Sequence, residues 1–209
     1  MKQRQPFKAI PSECKMPDLS DLKPLLGTLL LQEMFIGIGG LSRKAQFYRK
    51  NFIRLVGKAL REYQEARRAI LNQIAEINRP PEEMAKEGRI LYILAFTDHI
   101  ETCINTIARL YKLLKRMEKE LPEFPAQLPE QIKTQIESVI SIRNTIEHMD
   151  ERIQEDKIAP GKPIMSALSK DHDGVAVSSH EIKFEELAKV LRKMYEIAQY
   201  ILTVKKQKS

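Results

Sequence analysis

Several residue types and patterns are scarce in this 209-residue chain, and each scarcity removes a class of protein. The two cysteines, Cys14 and Cys103, are too few and too far apart for a disulfide framework or a Cys-x-x-Cys metal site, so a reducing cytoplasm is the expected setting. Glycine occurs eight times and tryptophan not at all, which leaves long stretches without a helix breaker. The apolar stretch "LLGTLLLQEMFIGIGGL" at 25–41 is interrupted by Gln32 and Glu33, and the opening residues carry charge without an apolar core at signal-peptide distance. Neither a membrane span nor secretion is therefore expected. "GIGG" at 37–40 completes neither a dinucleotide fingerprint nor a phosphate loop and reads as a turn. No Glu-x-x-His pairs recur on two helices. Asp171-His172-Asp173-Gly174 begins like a calcium loop but has Ile182 where the closing Glu belongs, so neither a metal nor a cofactor is expected.

What the chain does have is apolar side chains at helical spacing. Residues 1–24, rich in Pro and charge, form an extended lead-in. A short apolar helix follows from Leu25 to about Ile38. Ser42 then caps a long basic helix through about residue 78, with Phe47, Leu55, Leu60, Ile70, Ile74 and Ile77 among its apolar positions. After "NRPPEE" a second long helix is predicted from about 82 to 119, on the stripe Ile90, Ile93, Thr97, Ile100, Ile104, Ile107, Tyr111 and Leu114. A third, about 129–157, carries Ile132, Ile136, Val139, Ile142, Ile146, Met149 and Ile153. The period then changes. Asp173-Gly174 signals a turn, and 164–168 and 175–177 can pair as a hairpin inside an insert at 158–182. A last helix is predicted over about 183–204, on the stripe Leu187, Val190, Leu191, Met194, Ile197, Ala198 and Ile201. The fold class is all-α: an antiparallel helical bundle with an N-terminal helical extension and a short β-hairpin before the last helix. The expected units are 1–24, a basic extension over 25–80, and a bundle over 81–209.

Charge is uneven. Residues 1–79 hold 15 Lys/Arg against 7 Asp/Glu, whereas residues 80–160 hold 11 against 15. A basic helix at 43–79 can attract RNA, an anionic lipid surface or an acidic protein, and it can equally be solvated. Arg61, Arg67 and Arg68 are its candidate RNA contacts.

The reactive types converge on "SIRNTIEHMDERI", residues 141–153. At 100° per residue, with Arg143 as origin, the apolar stripe centres near about 300°, Glu147 falls at about 40°, Asn144 at about 100° and His148 at about 140°. Arg143 therefore flanks the core and faces Glu147, while Asn144 and His148 share an outward face. One reading is an amphipathic helix with an Arg143–Glu147 pair and two solvated side chains. The other is a phosphate-handling site. Histidine, titrating near pH ~6.5, can take or give the proton of an RNA hydroxyl, and arginine presents a fixed fork to phosphate oxygens. Asp98 and Asn105, on a polar stripe of the preceding helix with Thr102 and Arg109, are candidates to support it. His99 faces elsewhere and reads as a surface residue, and His180 as an ordinary loop or strand residue.

"RNTIEH" at 143–148 resembles the signature of the HEPN superfamily, an Arg followed by a polar residue, often Asn, and then a His after four to six intervening residues. The resemblance covers about 85–205 and implies a small helical bundle, commonly a homodimer. It also implies a metal-independent endoribonuclease whose Arg and His, from two protomers, line a cleft at the dimer interface. Arg143, Asn144 and His148 would be the catalytic residues, with Glu147 beside them. RNA would be the substrate and a second copy the partner. A toxin or defence effector with an antitoxin protein would be a fitting setting. Residues 1–80 lie outside the resemblance, and no nucleotidyltransferase domain accompanies it. Two further readings stay open: a helical protein that binds a nucleotide or partner through Arg143 and His148 without cleavage, and a nucleic-acid or lipid-surface binder driven by the basic helix.

Overall fold

The computed structural model describes residues 11–35, 41–77, 79–87, 91–121 and 132–203. It is an antiparallel helical bundle carrying one small sheet. Helix α1 spans Leu25–Phe35, α2 Arg43–Ile77, α3 Pro81–Glu87, α4 Tyr92–Glu120, α5 Lys133–Glu147, α6 Met149–Gln154 and α7 Phe184–Thr203. Strands β1 (Ala167–Leu168), β2 (Gly174–Val177) and β3 (His180–Lys183) lie between α6 and α7 in the order β1-β2-β3.

The centre of the bundle is the pairing of α2 with α4. Their direction is fixed by three contacts: Tyr48 Oη donates to Glu120 Oε2 at 3.1 Å, His99 Nδ1 lies 2.9 Å from Glu62 Oε2, and the Ile93 N–H donates to Gln73 Oε1 at 3.2 Å. As the number rises along α2 it falls along α4, so the two helices are antiparallel. Phe52, Tyr63 and Ile70 of α2 are buried with Phe96, Ile100, Ile104 and Leu114 of α4, and the same cluster takes in Val139 of α5, Ile182 of β3 and Leu191 of α7. Residue 80 is thus a boundary in composition, while the buried core runs continuously across it. Ser42 caps α2 as expected, its Oγ accepting from the Ala45 N–H at 3.2 Å.

Five sequence expectations are corrected. The helix predicted over 82–119 is two helices, α3 and α4. Gly88 follows α3 directly in sequence, and glycine is the poorest helix former after proline; Ile90 of the predicted stripe lies outside the described residues. The helix predicted over 129–157 breaks at His148, whose φ of −105° and ψ of 22° leave the helical region. The break turns the last segment so that Met149 stays buried but Ile153 is 52% exposed. Phe47 is 59% exposed, because it lies about 140° around α2 from Phe52, which points into the core. The hairpin gains a third strand. Val177 pairs with His180 across the two-residue turn Ser178-Ser179, and Ser178 takes φ 52°. A turn without Gly or Asn, followed by a strand with one buried apolar residue, Ile182, gives little signal in sequence. The predicted turn also shifts: His172 supplies the positive φ, and Gly174 is already in β2. Glycine is needed there for a different reason, since a Cβ would sit 2.5 Å from the Ile182 carbonyl oxygen on the neighbouring strand. The predicted turn at 37–40 lies outside the described residues, as do 1–10 of the lead-in and the ends of the predicted first, third and last helices.

The described part of the lead-in, residues 11–24, is a strap across the bundle. Met16 and Leu19 are buried in the main core. The Arg67 Nε donates to the Met16 carbonyl at 3.1 Å, Arg192 holds Asp21 through two nitrogens at 2.6 and 3.1 Å, and Tyr195 Oη donates to the Lys23 carbonyl at 2.9 Å. Asp18 is kept below the usual carboxylate range chiefly by the Ser20 N–H and then by Gln64, and Asp21 by Arg192. A carboxylate with a depressed folded pKa adds stability above its unfolded pKa and loses it as pH falls through the folded value.

Two outcomes follow from this packing. Phe184 and Phe96 are fully buried with rings edge to face at 6.1 Å, so Phe184→Ala should lower the free energy of urea unfolding by about 3–5 kcal/mol. Arg192→Ala should lower the urea midpoint at about pH 6, and the gap from wild type should close as pH falls below about 3 and Asp21 protonates in both proteins. A pH-independent gap would show that the Arg192 contribution is packing alone.

Candidate functional site

The motif residues occupy the last turn of α5 and the break that follows it. Ile142 and Thr145 are buried and fix which side of the helix faces the core. Arg143, one position on, is left at the edge of that face with its side chain 24% exposed. Its guanidinium pairs with Glu147 one turn later, as the helical angles predict, and Nη1 also donates to Asn144 Oδ1 at 3.1 Å. Asn144 therefore leans towards Arg143 and not towards His148.

His148 closes α5 with its N–H donating to the Asn144 carbonyl at 3.1 Å. Its side chain is 56% exposed, and Nδ1 lies 3.1 Å from Oε2 of Glu151 in the first turn of α6. The sequence reading missed Glu151. The available signal was the acidic pair Asp150-Glu151 directly after His148, the composition of a new helix's first turn. The pairing has a chemical consequence. A carboxylate only accepts, so a neutral imidazole must place its proton on Nδ1 to make this bond, and its lone pair is then on Nε2.

The supporting candidates are not joined to this group. Asp98 is exposed, and its backbone carbonyl accepts from Thr102 Oγ1 at 2.9 Å. Asn105 Oδ1 is buried on α4 without a hydrogen-bond partner. Among the described residues no hydrogen bond links either one to Arg143, Asn144 or His148.

The candidate RNA contacts on α2 are engaged within the chain. Arg68 Nη1 meets both Glu65 oxygens at 2.8 and 2.7 Å, and Arg61 lies 3.6 Å from Glu62. Arg67 holds the strap through Met16 and Asp18. Arg67 is therefore a structural cation, whereas Arg61 and Arg68 remain exposed in shallow pairs of a kind that contribute about 0–1 kcal/mol. His99 is half-buried and tied across the α2–α4 seam to Glu62. Lys183 and Asp173 form a further pair at 2.6 Å beside the β1–β2 turn, which holds the Asp173 carboxyl below its usual range.

Among the described residues no group of three or more His, Cys, Asp and Glu side chains is placed to hold a metal ion, and no helix is long and apolar enough to cross a membrane. The motif thus presents one imidazole with an oriented lone pair and one guanidinium bridged to Asn144 and Glu147, all on the surface. The chain matches no family model, no curated protein and no solved structure.

Proposed function

We propose that this protein is a metal-independent endoribonuclease of HEPN type, with a site completed when a second copy brings its own Arg143 and His148 to face the first. The observation that carries this reading is the Glu151–His148 contact, because it directs the imidazole lone pair outward from an exposed helix break. In the proposed reaction Nε2 of His148 takes the proton of an RNA 2′-hydroxyl, the oxygen attacks the adjacent phosphorus, and the 5′-oxygen leaves with a proton from a second acid, the facing copy's imidazolium. Arg143 neutralises the phosphate, with Asn144 holding its guanidinium. Release from Glu147 is affordable. An exposed i,i+4 pair is worth about 0.3–0.5 kcal/mol, whereas a hydrogen bond to a charged phosphate is worth about 1.5–3 kcal/mol. Exposure supports the two-copy arrangement, since a single copy leaves the imidazole largely in solvent with no second wall.

A second reading has its own support. Residues 143–156 carry Glu147, Asp150, Glu151, Glu155 and Asp156 against Arg143 and Arg152, so the surface around His148 is acidic and repels a polyanion. That favours a non-catalytic helical module that recognises a basic partner at this end.

Cleavage assays on a mixed RNA separate the two. On the first reading, wild type cleaves in EDTA and leaves 2′,3′-cyclic phosphate and 5′-hydroxyl ends. His148→Ala then loses about 10²–10⁴ in rate while keeping its helical circular dichroism. Arg143→Lys is impaired, because lysine lacks the fork, and Glu151→Ala falls between wild type and His148→Ala. Glu147→Gln binds RNA more tightly, since it frees Arg143 and removes a like charge. Cleavage that needs added metal, or a His148→Ala rate equal to wild type, overturns the proposal. A monomer by light scattering at tens of micromolar removes the two-copy site.

A further inference from the structure

At the end of the bundle where α1 finishes and α2 begins, exposed apolar side chains gather on one helix. Helix α1, "LLGTLLLQEMF", buries Leu29 fully yet leaves Leu30, Leu31, Met34 and Phe35 exposed, the last two at 77% and 79%. Phe47 of α2 is exposed as well. Two contacts fix α1 against this part of α2: Arg49 Nη2 donates to Gln32 Oε1 at 3.2 Å, and Lys50 Nζ lies 2.9 Å from Glu33 Oε2. The last turn of α4 lies alongside, since Glu120 accepts from Tyr48 and pairs with Lys44.

The flanks of this apolar group are cationic. Residues 43–54 contain five Lys/Arg and no Asp or Glu. The last turns of α4 add Lys112, Lys115, Arg116 and Lys119. Among the described residues, Glu33, Glu118 and Glu120 are the carboxylates of α1, of α2 as far as residue 54, and of the last turns of α4, and Glu33 and Glu120 are already neutralised by Lys50 and Lys44. The cations also lie over the aromatic rings: Arg43 stands 5.5 Å from the Phe47 ring centre and Lys44 5.9 Å from that of Tyr48.

We propose that this end of the molecule is a docking surface for an anionic lipid bilayer, with α1 lying in the headgroup region as an interfacial helix. Apolar side chains that face outward, with Lys and Arg at their margin, match a layer of hydrocarbon beneath a plane of negative charge. Eleven residues extend about 16 Å, well short of a bilayer core of about 30 Å, so α1 sinks into the surface and does not cross it. Charge also selects the lipid over a second copy of the chain. A symmetric pairing through the apolar group would bring two cationic margins together, whereas phosphatidylglycerol or phosphatidylserine neutralises them. The proposal is independent of Arg143 and His148 and stands or falls apart from ribonuclease activity.

The test is co-sedimentation of the full chain with vesicles of phosphatidylcholine alone and with ~30% phosphatidylglycerol. Wild type should bind the anionic vesicles at low salt, bind phosphatidylcholine weakly, and lose affinity as salt rises. Met34→Ser with Phe35→Ser should weaken binding at least tenfold with the circular dichroism unchanged, since both side chains are in solvent. Lys115→Ala and Arg116→Ala should each weaken it by about fivefold. Vesicle binding that is absent, or unchanged in the Met34/Phe35 double variant, overturns the proposal. So does a dimer in solution that falls apart in that double variant and ignores vesicles, because the apolar group then belongs to a second copy.

Discussion

Everything else in this protein is built against the seam between α2 and α4. Neither helix could hold its length in water alone, because an isolated helix gains little per residue beyond its nucleus. Paired, they exclude water along a line of Phe52, Tyr63 and Ile70 facing Phe96, Ile100 and Ile104. Among the described residues the polar contacts on this seam sit at separated points: Tyr48 and Lys44 to Glu120 near one end, Glu62 with His99 in the middle, and Gln73 to the Ile93 N–H at the other. Apolar burial is nearly indifferent to a small slide of one helix along another, whereas directional bonds at separated points are not. The seam's stability thus comes from one kind of side chain and its register from another.

The bundle was legible in the sequence because period 3.6 is a strong signal when it persists. Leu187, Val190, Leu191, Met194, Ile197, Ala198 and Ile201 were all assigned to one apolar stripe, and all are buried. What periodicity could not show was where a stripe stops being one rigid rod. The pattern from Ile132 to Ile153 is unbroken in spacing, yet the chain leaves the helix at His148, and nothing in an apolar repeat reports a local change of φ and ψ. The strand β3 was hidden for the opposite reason: one buried residue, Ile182, is too short a run to display a period of two.

The candidate site divides along the same line. The Arg143–Glu147 pair was visible because it needs only helical geometry. Helical angles put Asn144 and His148 on one face, but Asn144 bonds Arg143 and His148 bonds Glu151. The break that places His148 against Glu151 is the same feature that the periodicity hid, so the imidazole and the carboxylate beside it could not be found together. Arg67 illustrates a different limit. On sequence it was one more cation on a basic helix, and only the tertiary path of residues 11–24 shows that its guanidinium is spent on the Met16 carbonyl.

That path has a consequence for the order in which the chain can assemble. The strap meets Arg192 and Tyr195 across separations of 171 and 172 residues, among the longest-range contacts in the molecule. On a ribosome, residues 11–24 emerge well before α7, whose Arg192 and Tyr195 make part of their seat. Met16 and Leu19 must therefore wait in solvent while α2 and α4 find each other, and their closure is a late step with a large loop already paid out. During that interval the nascent chain displays these apolar side chains, and a chaperone has time to hold them.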